Sequence, residues 1–109
     1  MIIEGFAAGA AVAVRPDRGT LTDRSGTIAV AATQQTLAGA NPTRRYLLIQ
    51  NLDAAASLWV NFTTNAVQTQ PSLELKPGAV FTMESGFVSN ELVSVVGPNA
   101  GQAFAAKEG

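Results

Sequence analysis

Few residues in this chain of 109 amino acids could carry out covalent chemistry. A nucleophilic serine needs an adjacent base, usually histidine, and a third group that orients the base. The sequence has no histidine and no cysteine, which removes the commonest general base, the commonest metal ligand and all thiolate chemistry. A lysine can replace histidine as the base of a serine nucleophile. The candidates Lys76 and Lys107, however, occupy turn or terminal contexts, in which a lysine is normally solvated and protonated. The serines left without a partner base are Ser57, Ser72, Ser85, Ser89 and Ser94.

Acidic side chains offer little more. Glu74 and Glu84 could approach each other across a hairpin, but glycosidase chemistry needs such a pair about 5–10 Å apart in a cleft. Asp17 and Asp23 flank a loop, yet the EF-hand pattern for calcium is absent. Neither GxGxxG nor GxxxxGK[ST] is present, so the sequence predicts no phosphate-binding loop. We therefore predict that the chain is not an enzyme and has no catalytic, cofactor-binding or metal site.

The charge of the chain favours binding to other proteins. Seven basic and eight acidic residues give a net charge of −1, and the basic residues are scattered, which argues against nucleic-acid binding. Only 14% of the residues are charged, against about 25% in an average soluble domain. A surface with so few charges is poorly protected against association. We expect a homo-oligomer, a trimer in preference to a dimer, with a small uncharged monomer as the alternative.

The first 26 residues differ from the rest. Met1–Val14 mixes Ala and Gly with a few bulky residues and shows no 3.6-residue stripe, and the turn compositions Arg15–Gly19 and Asp23–Gly26 follow it. The apolar run is shorter than the roughly 20 residues that span a bilayer, and it lacks the positive charge of a secretory signal, so no membrane association is predicted. We predict an extended N-terminal arm over residues 1–26 that lies on a neighbouring subunit. A frayed terminus is the alternative.

Residues 27–109 are predicted to form one β-sandwich domain. Turn signals recur at intervals of about 8–15 residues, which is typical of all-β sandwiches and barrels. We expect an all-β fold, an antiparallel two-sheet sandwich that is jelly-roll-like, with a tight hairpin at Pro77-Gly78. The predicted strands are Thr27–Gln35, Arg44–Asn51, Leu58–Phe62, Ser72–Leu75, Val80–Glu84, Leu92–Val96 and Gln102–Lys107.

The strongest of these strands is Arg44–Asn51. Alternation places Leu47 and Ile49 on one face and Tyr46 and Leu48 on the other. Apolar residues on both faces predict a central strand that is covered on both sides.

The residues best suited to bind a partner lie in the arm and on the strands. Arg44 and Arg45 begin a strand, so at least one must project outward, and arginine is enriched at interfaces; a solvated strand end is the alternative. Trp59 is a large aromatic that could anchor a contact, and core packing explains it equally well. The predicted interface residues are Ile2, Ile3, Phe6, Val12, Val14, Arg44, Arg45 and Trp59.

Several motifs in the second part of the chain recur together in one group of proteins. The run NPTRRYLLIQN at residues 41–51 is followed by LWVNF at 58–62 and LKPGAVF at 75–81, and the chain ends on VSVVG and GQAFAAKEG. In this pattern the chain resembles small virion-associated proteins of tailed bacteriophages. The resemblance covers residues 41–109 and is carried by strands and turns, not by reactive residues.

The resemblance implies a structural role in the virion, that of a capsid decoration or cement protein on the outer surface of the shell. It implies the major capsid protein and sister subunits as partners, and synthesis in the cytoplasm of the host bacterium. The alternative is a tail or fibre component, or a carbohydrate-binding β-sandwich for host attachment, in which Trp59 would stack on a sugar ring.

Overall fold

The computed structural model of the protein describes residues 19–84 and 86–109, which form two antiparallel β-sheets and no helix. The strands in chain order are β1 (Thr22–Asp23), β2 (Gly26–Thr27), β3 (Gln35–Ala38), β4 (Leu47–Asn51), β5 (Leu58–Asn61), β6 (Leu73–Leu75), β7 (Val80–Met83), β8 (Val93–Val96) and β9 (Ala103–Glu108). Sheet one has the order β1-β9-β4-β7, with β2 also paired to β9, and sheet two has the order β3-β8-β5-β6. The expected all-β fold with two antiparallel sheets is therefore confirmed. The predicted boundary after residue 26 falls inside β2.

The hydrophobic core lies between the two sheets, because alternate residues of each inner strand point toward the opposite sheet. Full burial of such an aliphatic side chain contributes about 1.5–3 kcal/mol relative to an exposed position. Sheet one supplies Leu47, Ile49, Phe104 and Ala106, and sheet two supplies Leu37, Ala38, Leu58, Val60, Leu75, Val93 and Val95.

The central position predicted for the Arg44–Asn51 strand is confirmed for β4. This strand lies between β9 and β7. Leu47 and Ile49 are both fully buried, whereas Tyr46 and Leu48 on the other face are half-buried. Alternation was therefore a reliable guide where a strand has neighbours on both sides.

The connection between β5 and β6, residues 62–72, folds over the outer face of sheet two. Its Ala66 N–H donates to the hydroxyl of Ser94 on β8 at 2.6 Å, and Ser94 is fully buried. The side-chain amide of Asn61 donates to the hydroxyl of Ser72 at 3.3 Å, which ties the two ends of the connection together. Small polar residues thus occupy the outer face where a loop covers it.

The tight hairpin predicted at Pro77-Gly78 is wrong. Ala79 N–H does donate to the carbonyl of Lys76 at 2.8 Å, and Gly78 has a φ of 80°, as a type II turn requires. However, β6 pairs with β5 in sheet two and β7 pairs with β4 in sheet one. Type I and II turns twist against the flanking strands and splay them, so this turn carries the chain from one sheet to the other. Glu74 and Glu84 consequently belong to different sheets.

The single strand predicted over Thr27–Gln35 is also wrong. Ile28 is 1% exposed and enters the core, but Val30 is 58% exposed. Between β2 and β3 the chain turns back on itself: Thr33 N–H donates to the carbonyl of Val30, and Ala32 has a φ of 57°. Ile28 and Val30 follow the alternation that is typical of a strand, but the backbone does not form one there.

The strands at the sheet edges are short or irregular. Sheet one ends in the two-residue strands β1 and β2 on one side and in the four-residue β7 on the other. Sheet two ends in the three-residue β6 and in β3, whose register with β8 shifts between Thr36 and Ala38. None of these edges offers a long, regular row of backbone donors and acceptors.

Gly97, directly after β8, lies against the buried Gln102 side chain. A Cβ at this position would sit 2.3 Å from Oε1 of Gln102 and 3.2 Å from Ile28. The amide of Gln102 cannot turn away freely, because its Nε2 donates to the carbonyl of Ser57 at 2.9 Å. Glycine is therefore required here by space.

We predict that Gly97→Ala destabilises the protein by about 1–3 kcal/mol, the usual cost of overpacking a filled site. Thermal unfolding followed by circular dichroism measures the change. Gly39→Ala is the matched control, because a Cβ there meets nothing within 4 Å. An unchanged melting temperature for Gly97→Ala would contradict the steric argument.

Candidate interaction surface

Three long connections meet at one end of the sandwich, which we call the Arg44 end. They are residues 39–46 before β4, the β5–β6 connection, and the β7–β8 connection. The register places Leu47 of β4 opposite both Met83 of β7 and Glu108 of β9. In sheet two, Asn61 of β5 lies opposite Ser94 of β8. The starts and ends of these strands therefore bring the three connections together.

The buried side chain of Arg44 holds this end in place. Its Nε donates to Oε2 of Glu108 at 2.7 Å, and its Nη1 donates to the carbonyls of Ser89 at 2.7 Å and Glu91 at 2.9 Å. Its Nη2 donates to the carbonyl of Gly39 at 2.8 Å. One guanidinium thus binds the end of β9, the β3–β4 connection and the β7–β8 connection.

Glu108 is the acceptor at the centre of this arrangement. Besides Arg44, its Oε1 accepts from Nε of Arg24 at 2.9 Å and its Oε2 from Nδ2 of Asn41 at 3.2 Å. Burial acts to raise the pKa of the Glu108 carboxyl, but the hydrogen bonds from Arg44, Asn41 and Arg24 outweigh burial and hold that pKa below its ordinary value. Glu108 is therefore ionised in the folded protein at neutral pH.

The interface role predicted for Arg44 needs a correction. Its side chain is 0% exposed and that of Glu108 is 4% exposed, so the guanidinium cannot reach a partner. The carboxylate at the end of β9 draws it inward, because a buried charge requires an opposite charge and filled hydrogen bonds. Arg45, the next residue, is exposed, and Trp59 is half-buried on the outer face of sheet two opposite Glu74 of β6.

Three of the eight large apolar side chains that are exposed in the described residues lie at the Arg44 end. Phe87 in the β7–β8 connection is 78% exposed, and Leu92 in the same connection is 43% exposed. Leu21, 56% exposed, lies beside Gly109 at the end of β9. An aromatic side chain exposed to this extent is a candidate for a contact with a partner.

A hollow of about 180 Å³ opens between two of these connections. Phe62, Thr63, Thr64 and Asn65 form one side, and Glu91 and Leu92 form the other. The Phe62 ring packs against Phe81 of β7 with 5.5 Å between the ring centroids, which fixes it in place. The connection is further fixed by Asn61, whose Oδ1 accepts from the N–H groups of Thr63 and Thr64.

The sequence-based prediction missed Phe87, Leu92 and Glu108. Phe87 follows Gly86 outside any periodic segment, which indicates a connection and not a strand. Glu108 could have been found by extending the alternation of β9, in which Phe104, Ala106 and Glu108 share the buried face.

The predicted arm residues Ile2, Ile3, Phe6, Val12 and Val14 lie outside the described residues. The described chain begins at Gly19, where a Cβ would lie 3.3 Å from Nη2 of Arg45. The N-terminal segment therefore joins the body at the Arg44 end.

The described residues contain no group of three or more acidic side chains that could hold a metal ion. In the same part of the chain no helix is long and apolar enough to cross a membrane. Comparison of the chain with protein-family models, with curated proteins and with solved structures gave no match.

We predict that Glu108→Gln lowers the free energy of unfolding by about 3 kcal/mol, because the change leaves the guanidinium of Arg44 buried without its counter-charge. Chemical denaturation measures the loss. Lys107→Gln on the same strand is the control, because it removes only the solvent-exposed pair with Asp23 and exposed pairs contribute little. Equal effects of the two changes would show that the buried pair has no special role.

We also predict that the protein loses stability in acid. The pKa of Glu108 is depressed in the folded state, and hydrogen bonds from Ser25 help to lower the pKa of Asp23 to about 2. The unfolded chain therefore binds protons first as the pH falls. The free energy of unfolding should be constant above about pH 5 and fall below about pH 4.5, and the fall should be smaller in Glu108→Gln. Stability that rises between pH 5 and 3 would contradict this.

Proposed function

We propose that the chain is a structural protein of a tailed-bacteriophage virion, a decoration protein that binds the outside of the assembled capsid as a homo-oligomer. The observation that carries this proposal is the apolar surface at the Arg44 end, where Phe87 is 78% exposed on a connection that Arg44 holds in place. An exposed aromatic side chain on a connection that the buried Arg44 holds is suited to anchor a protein–protein contact.

The finer fold within this proposal is a jelly roll. Counting β1 and β2 as one strand, the antiparallel pairs are nested: the first strand pairs with β9, β3 with β8, β4 with β7, and β5 with β6. A long hairpin that is rolled up on itself produces this nesting. Jelly rolls serve chiefly as viral capsid domains, lectins and cupins, and the absence of histidine from the sequence argues against a metal-binding cupin.

The chain is proposed to act by binding and not by catalysis. No histidine or cysteine is available to activate a nucleophile. A ligand that binds the assembled shell but not its free subunits stabilises the shell by mass action. The partners are the major capsid protein and sister subunits, and the location is the capsid surface of a virion that is built in a bacterial host.

The N-terminal arm is the second part of the proposed contact. Residues 1–18 hold apolar residues that include Ile2, Ile3 and Phe6 and join the body at the end where three exposed apolar side chains lie. An extended arm of this kind would bury these residues on a sister subunit or on a coat subunit.

One observation favours a sugar-binding role as the second candidate. Trp59 is half-buried on the outer face of sheet two, opposite Glu74. An indole can stack on a sugar ring while a neighbouring carboxylate accepts hydrogen bonds from the sugar hydroxyls. Binding on a glycan array, with a change in Trp59 fluorescence, would favour this candidate over capsid decoration.

We predict that the full chain is a trimer in light scattering coupled to size-exclusion chromatography, and that it co-sediments with shells of the major capsid protein from the same phage. Deletion of Met1–Ala13 should weaken binding to the shells while the melting temperature of the body is unchanged, because the described strands begin only at Thr22. A full chain that is strictly monomeric and ignores the shells would overturn the proposal. A truncated chain that binds the shells as tightly as the full chain would refute the role of the arm.

A further inference from the structure

We propose that the hollow at the Arg44 end receives the ring of Phe6 from a second copy of this chain. The inference rests on the proposed function, because it assigns to the N-terminal arm the place on a sister subunit where it binds.

The hollow has the size of one aromatic ring. Its volume is about 180 Å³, and a protein cavity of roughly 150 Å³ is known to hold a benzene molecule. Phe62 is one of the residues that line the hollow, and aromatic rings attract one another beyond the effect of burial alone. Thr63, Thr64 and Asn65 on one side of the hollow are exposed, so the hollow is accessible to a side chain from solvent.

The N-terminal segment offers one ring of this kind. Phe6 is the only aromatic residue among residues 1–18, and it follows Gly5 and precedes a run of Ala, Gly and Val at residues 7–14. A single large side chain flanked by Ala and Gly can enter a hollow, because the small neighbouring side chains allow the backbone to approach the surface closely.

The attachment point and the length of the segment favour a second copy over the same chain. Gly19 lies beside Arg45 at the Arg44 end, so the segment departs from the end that holds the hollow. The residues between Phe6 and Gly19 reach about 40 Å when extended, whereas a body of this size is about 30 Å across. To fill its own hollow the segment would have to double back, but the hollow of a neighbour with its Arg44 end close by is within direct reach.

Filling the hollow and removing the ring should have the same effect on self-association. We expect Phe6→Ala to weaken the association between copies about 10- to 100-fold, the factor that burial of one phenylalanine side chain corresponds to. Thr64→Trp, which fills the hollow from an exposed position, should weaken it equally. Val80→Ala is the control, because Val80 is an exposed apolar residue at the other end of β7. It should leave association unchanged.

The decisive measurement is sedimentation velocity of the two weakened variants, alone and mixed. If the ring enters a second copy, a mixture of Phe6→Ala and Thr64→Trp should associate more strongly than either variant alone, because the Phe6 of the second variant meets the open hollow of the first. Association that does not improve on mixing would overturn exchange between copies. The variants must have the same melting temperature as the unchanged chain, which shows that their bodies are folded. If Thr64→Trp does not, Asn65→Trp replaces it as the variant that fills the hollow.

The outcomes separate this inference from the proposed function. If the full chain forms an oligomer and Phe6→Ala leaves that oligomer intact, the hollow is not the binding place of Phe6. The virion proposal is then unaffected. A full chain that stays monomeric at every concentration contradicts both.

Discussion

The interaction on which the rest of the structure depends is the buried ion pair between Arg44 and Glu108. Their side chains are 0% and 4% exposed, and the guanidinium also binds the carbonyls of Gly39, Ser89 and Glu91. A buried pair of this kind is weak evidence for net stability, since an apolar pair of similar volume often does as well. Its specific contribution is geometric: it fixes the end of β9 and two connections, β3–β4 and β7–β8, that have little regular structure of their own.

At the opposite end of the sandwich, uncharged side chains hold the connections in place. The side-chain amide of Asn51 donates to the carbonyls of Ala56 and Leu75, each at 2.8 Å, and Gln102 donates to the carbonyl of Ser57. The donors of these buried amides specify which connection lies where, while the aliphatic residues between the sheets supply most of the burial. The described part of the chain therefore has an apolar middle and a polar cluster at each end.

The sequence was informative wherever alternation decides the structure. The alternation of Leu47 and Ile49 predicts which face of β4 is buried. The many short apolar runs, separated by turns, predict a fold of two sheets. The prediction failed at Pro77-Gly78, because a turn type is local whereas the choice of the next sheet is global. It failed for Arg44 because the partner, Glu108, is 64 residues away in the chain. The exposed Phe87 was missed because residues outside strands were judged only as turns.

The short and irregular edge strands affect how neighbouring copies of the molecule can pair through their sheets. Where copies of a protein are held side by side, as the proposed role on a capsid requires, their local concentration is high, and open sheet edges then tend to add to one another and grow into fibrils. Pieces of two residues at β1 and β2, three at β6 and a register shift in β3 give such growth no template. In the described residues, the backbone of these edges therefore offers a neighbouring copy little to pair with, which leaves contacts between copies to side chains.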